Sequence, residues 1–214
     1  MNAIKSFVRG ALRQRGYELC QVYDSERAAV PQHATFSYRE VQCYRAICNP
    51  GQLSLEESRL LSELVRASDS ERPIIEIGTL FGYSTTVITL AKKRSQRLIT
   101  VDNYCWNPLG ISPETHFQIT KNRLREATES HAVEMLRMDK AEFYRTYAGP
   151  PPSVFFCDAD HSYEATKADI EWARSVGASV ICGDDYDLPH EPGTARAVDE
   201  LGGPKRLAGG LFVM

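Results

Sequence analysis

The chain has 214 residues and a net charge of −3, with 43% hydrophobic and 25% charged residues. These values are typical of a globular protein, and the length fits one α/β domain with an extension. The charge gives no support for a nucleic-acid partner, and no apolar run approaches the roughly 18 residues that a membrane span needs. Because the first residues lack a secretory core, we predict a cytoplasmic protein whose six cysteines are reduced.

The first 50 residues are predicted to form an extension that precedes the main domain. Near its start, apolar residues stand at helical spacing with basic residues between them: Ile4, Phe7, Val8, Ala11 and Leu12. We expect a helix that docks on the domain or on a neighbouring subunit; the alternative is a basic helix at a membrane surface or on a partner. Residues 21–50 show no clear period and are interpreted as a linker or a cover over the site. The predicted boundaries are therefore 1–50 and 51–214.

The main domain opens with a predicted helix, a strand and a glycine turn. A capping box at residues 54–57 and the apolar stripe after it predict a helix that ends before Pro73. Residues 74–77 then read as a buried strand. Gly78 and Gly82 follow, and glycine lets backbone approach a ligand where a side chain would collide. A second helix is expected directly after this turn.

Strand-like and helix-like segments alternate through the rest of the chain. The further predicted strands are residues 98–102, 132–138, 153–158, 179–185 and 210–214. The predicted helices are residues 117–128, 142–147, 162–176 and 194–201, and a loop covers 103–116. Such alternation implies right-handed crossovers and a mainly parallel sheet, which is an α/β fold.

An acidic side chain stands at or near the end of each of the first five predicted strands. These acids are Glu76, Asp102, Asp139, Asp158 and Asp184. The ends of parallel strands meet at the carboxyl edge of the sheet, where open α/β sheets bind their ligands. Carboxylates that are brought together repel one another unless a cation compensates them. The pattern therefore predicts a site for a positively charged ligand.

Two nucleotide-type cofactors suit such an edge. For NAD, Asp102 lies 20 residues beyond Gly82, which is a suitable distance for a ribose-binding acid. However, the dinucleotide fingerprint is missing, and the pyrophosphate would lie next to Glu76. S-adenosylmethionine has no phosphate and carries a sulfonium and an ammonium group, so an acidic edge favours it. Asp102 could accept hydrogen bonds from its ribose hydroxyls, and Asp139 is expected to meet its adenine amino group.

Three segments of the chain resemble a known family. Residues 76–85 (EIGTLFGYST) resemble the first motif of class I S-adenosylmethionine-dependent methyltransferases. Residues 158–164 (DADHSYE) and 183–186 (GDDY) are similar to one subgroup, which holds metal-dependent O-methyltransferases of macrolide sugars and relatives of a cephalosporin-biosynthesis protein. The resemblance spans about residues 54–214. It implies a Rossmann-like seven-stranded sheet, mainly parallel with an antiparallel last strand, and helices on both faces.

The resemblance also implies roles for individual residues. Asp158, Asp184 and Asp185 match the magnesium ligands of the subgroup, and His161 matches its general base, with Asp158 beside it as a second catalytic residue. The cofactor-binding residues implied are Glu76, Gly78, Thr79, Gly82, Tyr83, Ser84, Asp102, Asn103, Asp139 and Asp158. On the residues alone, His161 could instead cap the helix that follows it. Tyr104 and Trp106 could line the substrate or cofactor, or form a plain hydrophobic loop.

The predicted function is a magnesium-assisted, S-adenosylmethionine-dependent O-methyltransferase. Its acceptor would be a hydroxyl group of a sugar or of another small polyol or natural product, and no nucleic acid would take part. One alternative is a nicotinamide-dependent oxidoreductase, and another is a non-catalytic, cofactor-binding member of the fold. A homo-oligomer is compatible with the resemblance, because relatives are commonly oligomers.

Overall fold

The computed structural model describes residues 53–187 and 192–214. The predicted N-terminal helix, the linker at 21–50 and the domain boundary near residue 50 lie outside these ranges. Within them, no helix has both the length and the apolar character that crossing a membrane requires.

The described ranges contain seven helices and seven strands. The helices are α1 Leu55–Ala67, α2 Tyr83–Ala91, α3 Pro113–Arg123, α4 Arg125–Glu129, α5 Lys140–Thr146, α6 Tyr163–Ser175 and α7 Gly193–Glu200. The strands are β1 Ile74–Ile77, β2 Leu98–Asp102, β3 Glu134–Arg137, β4 Val154–Cys157, β5 Val180–Gly183, β6 Arg206–Ala208 and β7 Leu211–Val213.

All seven strands form one sheet in the order β3-β2-β1-β4-β5-β7-β6. Strands β1 to β5 pair in parallel, and β7 runs antiparallel to both β5 and β6. The mainly parallel sheet with an antiparallel last strand is therefore confirmed. Strand β6 was not identified from the sequence, because Arg206 and Leu207 are exposed and give no apolar run.

Helices cover both faces of the sheet, as predicted. Alternate residues of a strand point to opposite faces, so each strand supplies two hydrophobic clusters. One cluster joins the sheet to α1 and α2 and includes Ile74, Phe156, Leu61 and Ile88. The other joins it to α5 and α6 and includes Ile75, Phe155, Phe143 and Ile170. The core is therefore two layers that hold the strand ends in fixed register.

The helix predicted at residues 117–128 differs from the structure. It is two helices, α3 and α4, which meet at Leu124. Helix α3 begins at Pro113, because the Ser112 hydroxyl accepts a hydrogen bond from Thr115 N at 3.2 Å and proline is favourable at a first helical position. The break at Leu124 brings its side chain against Gly82, in the turn after β1.

The two outer strands of the sheet carry charged side chains that form ion pairs. On β3, Glu134 contacts Arg97 at 2.7 Å, and on β6, Arg206 contacts Glu63 at 3.0 Å. All four side chains are exposed, so each pair adds little to stability by itself. Within the described part of the chain, both outer strands therefore present charge to solvent.

Candidate functional site

The register of the central strands brings the predicted acids to one edge. Ile77 at the end of β1 lies opposite both Val101 of β2 and Cys157 of β4. Cys157 in turn lies opposite Gly183 of β5. The residues that follow these strands therefore leave the sheet side by side, as expected for the carboxyl edge of an open parallel sheet.

The turn after β1 passes very close to the chain that leaves β4. A Cβ atom on Gly78 would lie 1.9 Å from the carbonyl oxygen of Asp158, and the φ angle of Gly78 is +94°. Only glycine fits there, for steric and for conformational reasons. Gly82, with a φ angle of +84°, precedes the first turn of α2.

Five of the predicted cofactor residues line one small pocket at this turn. The residues that line it are Leu53, Gly78, Thr79, Leu80, Tyr83, Ser84 and Asp158. Tyr83 is buried, and its hydroxyl lies 2.9 Å from the Ser58 hydroxyl. Gly82 does not line the pocket but starts the helix that supplies Tyr83 and Ser84.

Glu76 does not line this pocket, but its carboxyl group interacts with Ser84, which does. Its side chain is completely buried within β1, and Thr85 Oγ1 donates a hydrogen bond to Oε2 at 2.6 Å. Within the described residues Oε1 has no hydrogen-bond partner. Burial raises the pKa of Glu76 to about 7, although the hydroxyls of Ser84 and Thr85 oppose the shift. One oxygen of this buried carboxyl group is therefore without a hydrogen-bond partner among the described residues.

Asp102 organises the backbone around the pocket. Oδ2 accepts hydrogen bonds from Thr79 N and Leu80 N, each at 2.9 Å, and Oδ1 accepts one from Tyr104 N at 2.6 Å. A carboxylate offers about four acceptor positions, so roughly one remains for a ligand. That Asp102 binds the ribose hydroxyls of S-adenosylmethionine stays a prediction, with about one acceptor position open to them.

The two remaining predicted cofactor residues are exposed. Asp139 caps α5, since Ala141 N donates to its Oδ1 at 2.8 Å. Asn103 Oδ1 accepts a hydrogen bond from Cys105 N at 2.9 Å. Among the described residues, the other carboxylate oxygen of Asp139 and the amide NH₂ of Asn103 make no further hydrogen bond.

A second group of side chains adjoins the pocket and shares Asp158 with it. Each of Asp158, His161 and Asp185 offers a ligand atom, and these three atoms lie within 4.8 Å of one another. His161 Nε2 is 3.0 Å from Asp185 Oδ2. Carboxylate oxygen and imidazole nitrogen are common ligands of divalent metal ions. The structure thus brings together Asp158 and Asp185 as predicted, with His161 beside them.

Asp184 is more deeply buried than these three residues. It is 9% exposed, and in the described part of the chain its Oδ1 has no hydrogen-bond partner. Burial, together with the nearby Glu57 and Asp185, raises the pKa of Asp184. Burial and the charges of Asp184 and Asp185 likewise raise the pKa of Asp158 well above its usual range. The acids therefore destabilise one another's charged forms, which a bound cation would relieve.

Glu57 is an acid of this region that the sequence argument treated only as a capping residue. Its Oε2 accepts a hydrogen bond from Ser54 N at 2.5 Å, which confirms the predicted capping box. Its Oε1 accepts one from Gly210 N at 2.6 Å. Glu57 therefore connects α1 to the turn before β7, and that turn packs against Asp184 and Asp187.

The loop after β2 divides into a buried and an exposed part. Tyr104 is completely buried and stacks edge-on against His116 and Phe117, so its ring belongs to the protein interior. Trp106 and Leu109 are 67% and 55% exposed. Of the two aromatic residues proposed as a ligand wall, only Trp106 presents its ring to solvent.

His116 is a buried residue at this site that the sequence did not single out. It lies on α3, and its ring contacts backbone of the segments that follow β1 and β2. No local pattern marks it, because a polar residue in an irregular helical pattern is usually exposed.

Comparisons with known proteins agree with this architecture. A family described as "Methyltransferase domain" matches residues 75–186, the range that runs from β1 to the residues after β5. No curated protein sequence matches the chain.

Several solved structures have the same fold. The O-methyltransferase TomG from Streptomyces achromogenes, in complex with S-adenosylmethionine, is 22% identical with a TM-score of 0.55, over 79% of this chain and 78% of its own. The O-methyltransferase from Bacillus cereus, in complex with S-adenosylhomocysteine, is 21% identical with a TM-score of 0.57, over 82% of both chains. CalS11, a TDP-rhamnose 3'-O-methyltransferase, is 16% identical with a TM-score of 0.54, over 90% of this chain and 96% of its own.

Proposed function

The chain belongs to the methyltransferase-domain family, and on this premise we propose that it is an S-adenosylmethionine-dependent O-methyltransferase assisted by a magnesium ion. One observation carries the proposal: Asp158 both lines the small pocket and belongs to the group with His161 and Asp185. A cofactor in the pocket and a hydroxyl group at the acids would therefore be neighbours. Methyl transfer to oxygen needs that proximity.

The pocket suits the cofactor for electrostatic and steric reasons. Gly78 lets the turn after β1 approach the Asp158 backbone closely, and Oε1 of the buried Glu76 has no hydrogen-bond partner among the described residues. S-adenosylmethionine supplies a methyl group on a positively charged sulfur. Asp102 has about one acceptor position for a ribose hydroxyl, and Asp139 is proposed to contact the adenine. The names of TomG and the Bacillus cereus protein, which were crystallised with this cofactor or its product, support the assignment.

The acidic group suits a divalent metal ion. Asp158 and Asp185 offer converging oxygen atoms, and Asp184 adds a buried oxygen without a partner in the described part of the chain. These are the ligands that magnesium prefers. A bound magnesium ion would supply a positive charge that favours the deprotonated form of an acceptor hydroxyl. We propose that Asp158 and Asp185 hold it, with Asp184 direct or through water.

We assign His161 the role of accepting the hydroxyl proton. Imidazole is the side chain that exchanges protons near neutral pH, and Asp185 Oδ2 at 3.0 Å orients the ring. His161 is partly exposed, so an acceptor could reach it. The Ser162 hydroxyl, rather than His161, caps α6, since Ala165 N donates to it at 3.3 Å. The helix-capping alternative for His161 therefore has no support in these contacts.

The proposed acceptor is a hydroxyl of a sugar or of another small polyol. Its support is the fold shared with CalS11, whose name states a sugar substrate. Neighbouring hydroxyls of a polyol could also bind the metal ion through oxygen, which fits an acidic rather than an apolar acceptor site. The exposed Trp106 offers a flat surface on which a sugar ring could pack.

Cofactor binding is the first measurement that tests the proposal. Calorimetric titration of the full chain with S-adenosylhomocysteine should give a dissociation constant in the micromolar range, whereas NAD should give no heat of binding. Release of S-adenosylhomocysteine from S-adenosylmethionine should then be followed with a panel of nucleotide sugars and polyols in the presence of Mg²⁺. Absence of binding at millimolar cofactor would exclude a methyltransferase, and binding of NAD alone would favour the oxidoreductase.

Two variants separate the metal group from the cofactor pocket. Asp185→Asn should leave cofactor affinity within a few-fold and lower turnover by at least 100-fold, because it removes a proposed metal ligand and the partner of His161. Glu164→Gln is the matched control, since Glu164 is an exposed acid in the first turn of α6. Equal turnover of wild type and Asp185→Asn would contradict the assigned role. Cofactor binding without turnover on any acceptor would favour a non-catalytic member of the fold.

A further inference from the structure

His116 joins the two segments that shape the proposed cofactor pocket. Its Nε2 lies 3.0 Å from the carbonyl oxygen of Leu80, which follows β1 and lines the pocket. Its Nδ1 lies 3.3 Å from the carbonyl oxygen of Tyr104, which follows β2. The side chain is completely buried. One imidazole ring therefore contacts both segments from the side of α3.

Both contacted residues have a backbone conformation that is unfavourable for them. The φ angle is +45° at Leu80 and +60° at Tyr104, in the left-handed region that favours glycine. Non-glycine residues persist there only when their surroundings hold them. Asp102 binds the amide nitrogens of both residues, and His116 faces both carbonyl oxygens. Each strained residue is therefore held on two sides.

The hydrogen-bonding capacity of the ring limits how these contacts can form. A carbonyl oxygen only accepts, and a neutral imidazole has one N–H group and one acceptor nitrogen. Both contacts of His116 are hydrogen bonds only when both nitrogens carry hydrogen. The Asp102 carboxylate binds the same two residues, so a negative charge lies on the other side of these segments.

We propose that His116 is a positioning residue that donates two hydrogen bonds and thereby fixes the shape of the cofactor pocket. It acts through Leu80 and Tyr104 and touches no reacting atom. The proposal rests on the proposed function only in taking the ligand of this pocket to be S-adenosylmethionine. Without the two donated bonds, the Tyr104 carbonyl oxygen would lose its contact with His116, and the Leu80 carbonyl oxygen would keep only the bond from Thr120. The two left-handed residues would then be held less firmly, and the pocket would change shape.

A substitution that keeps the ring but removes both donors tests the proposal. His116→Phe retains the aromatic contacts with Phe81 and Tyr104, whose ring centroids lie 4.6 and 5.2 Å from that of His116. We expect its dissociation constant for S-adenosylhomocysteine, measured by calorimetry, to rise at least tenfold. The Michaelis constant for S-adenosylmethionine should rise with it, while kcat changes less than threefold. His116→Gln, which donates from a single nitrogen atom rather than from two separated ones, should recover part of the affinity.

Thr120→Val provides the matched control on the same helix. Thr120 Oγ1 donates a hydrogen bond to the carbonyl oxygen of Leu80 at 2.6 Å, and valine has nearly the same shape. This variant also loses a buried hydrogen bond, so its melting temperature should fall. Its affinity for S-adenosylhomocysteine should change less than threefold, because His116 still contacts both segments. If His116→Phe binds S-adenosylhomocysteine within twofold of wild type, the proposal is wrong.

Nitrogen-15 NMR of the imidazole rings gives a second readout that needs no ligand. In the folded wild type at neutral pH, both ring nitrogens of His116 should give the shifts of protonated nitrogen. Shifts that show only one N–H group on the ring would overturn the proposal. Because this test uses the wild type, it also decides the question if His116→Phe does not fold. If wild type binds no S-adenosylhomocysteine, the proposed function fails, while the NMR result still decides the role of His116.

Discussion

Glu76 illustrates how one residue can couple the site to pH. Its carboxyl group is buried, and burial raises its pKa from the ordinary 4.5 to about 7. Between these two values the folded state binds more protons than the unfolded state does, so the free energy of unfolding falls as pH rises. Folding therefore favours the neutral form of Glu76, and a cation above it would favour the charged form.

The variant Glu76→Gln should remove this dependence on pH. Glutamine keeps an oxygen that can accept the Thr85 hydrogen bond and carries no charge at any pH. The wild-type free energy of unfolding should fall between pH 5 and pH 8, and that of Glu76→Gln should not show this fall. The difference between the two proteins should therefore change by up to about 3 kcal/mol in favour of the variant. Denaturant unfolding at both values measures the difference. The exposed Glu71→Gln serves as control, and an equal pH dependence in Glu76→Gln and wild type would contradict the argument.

Sequence reasoning located residues at the site better than it located their bonds. Asp102 and Asp158 were found because a strand end is visible as the end of an apolar run. The three amide groups that Asp102 binds were not foreseen, because they depend on how two turns fold against each other. Glu57 and His116 were missed as site residues because their contacts with Gly210 and Leu80 are tertiary.

At the scale of elements, the turn between β1 and α2 is the most constrained part of the site. The φ angle of Gly78 is +94°, and a Cβ atom there would lie only 1.9 Å from the Asp158 carbonyl oxygen. The turn and the end of β4 therefore cannot be separated without opening the pocket. Any side chain at Gly78 must push β1 and β4 apart.

The variant Gly78→Ala should lose both stability and cofactor binding. Its methyl group would collide with backbone, which cannot move aside as a side chain end can. Gly110→Ala is the matched control, because Gly110 also has a positive φ angle, +64°, but nothing lies within 4 Å of its Cβ position. The control should lose only about 1 kcal/mol and bind cofactor normally. Equal unfolding free energies and affinities of the two variants would show that the collision is unimportant.

The elements themselves were predictable where burial was strong. Strands β1, β2, β4 and β5 are apolar runs buried on both faces, so the sequence revealed them directly. Strand β6 escaped notice because its exposed residues have no apolar run. The early start of α3 was missed because its first turn contains Pro113, which was interpreted as part of a loop.

At the scale of the whole molecule, we expect the acidic group to lower the stability of the ligand-free protein. Burial and mutual repulsion raise the pKa values of Asp158 and Asp184. Asp158 directly follows β4, and Asp184 directly follows β5. Glu57 on α1 adds a further negative charge near Asp184. A cation that binds only the folded state would relieve this repulsion and stabilise the domain.

Magnesium should therefore raise the melting temperature of protein first treated with EDTA. At 100 times the dissociation constant the gain is about 2.7 kcal/mol, which corresponds to roughly 5–10 °C for a chain of this size. Differential scanning calorimetry measures the shift, with KCl at equal ionic strength as control. Asp158→Asn should abolish the response, and Glu164→Gln should retain it. A wild-type melting temperature that is insensitive to Mg²⁺ and Mn²⁺ would remove the metal ion from the proposed function.

The ion pairs on the two outer strands affect whether copies of the chain can associate by pairing their strands. An open sheet can grow when a strand of another molecule pairs with its edge, and charged side chains there discourage such growth and the aggregation it leads to. Glu134 on β3 and Arg206 on β6 place charge at both edges. Pairing of another chain's strand with β3 or β6 is therefore disfavoured.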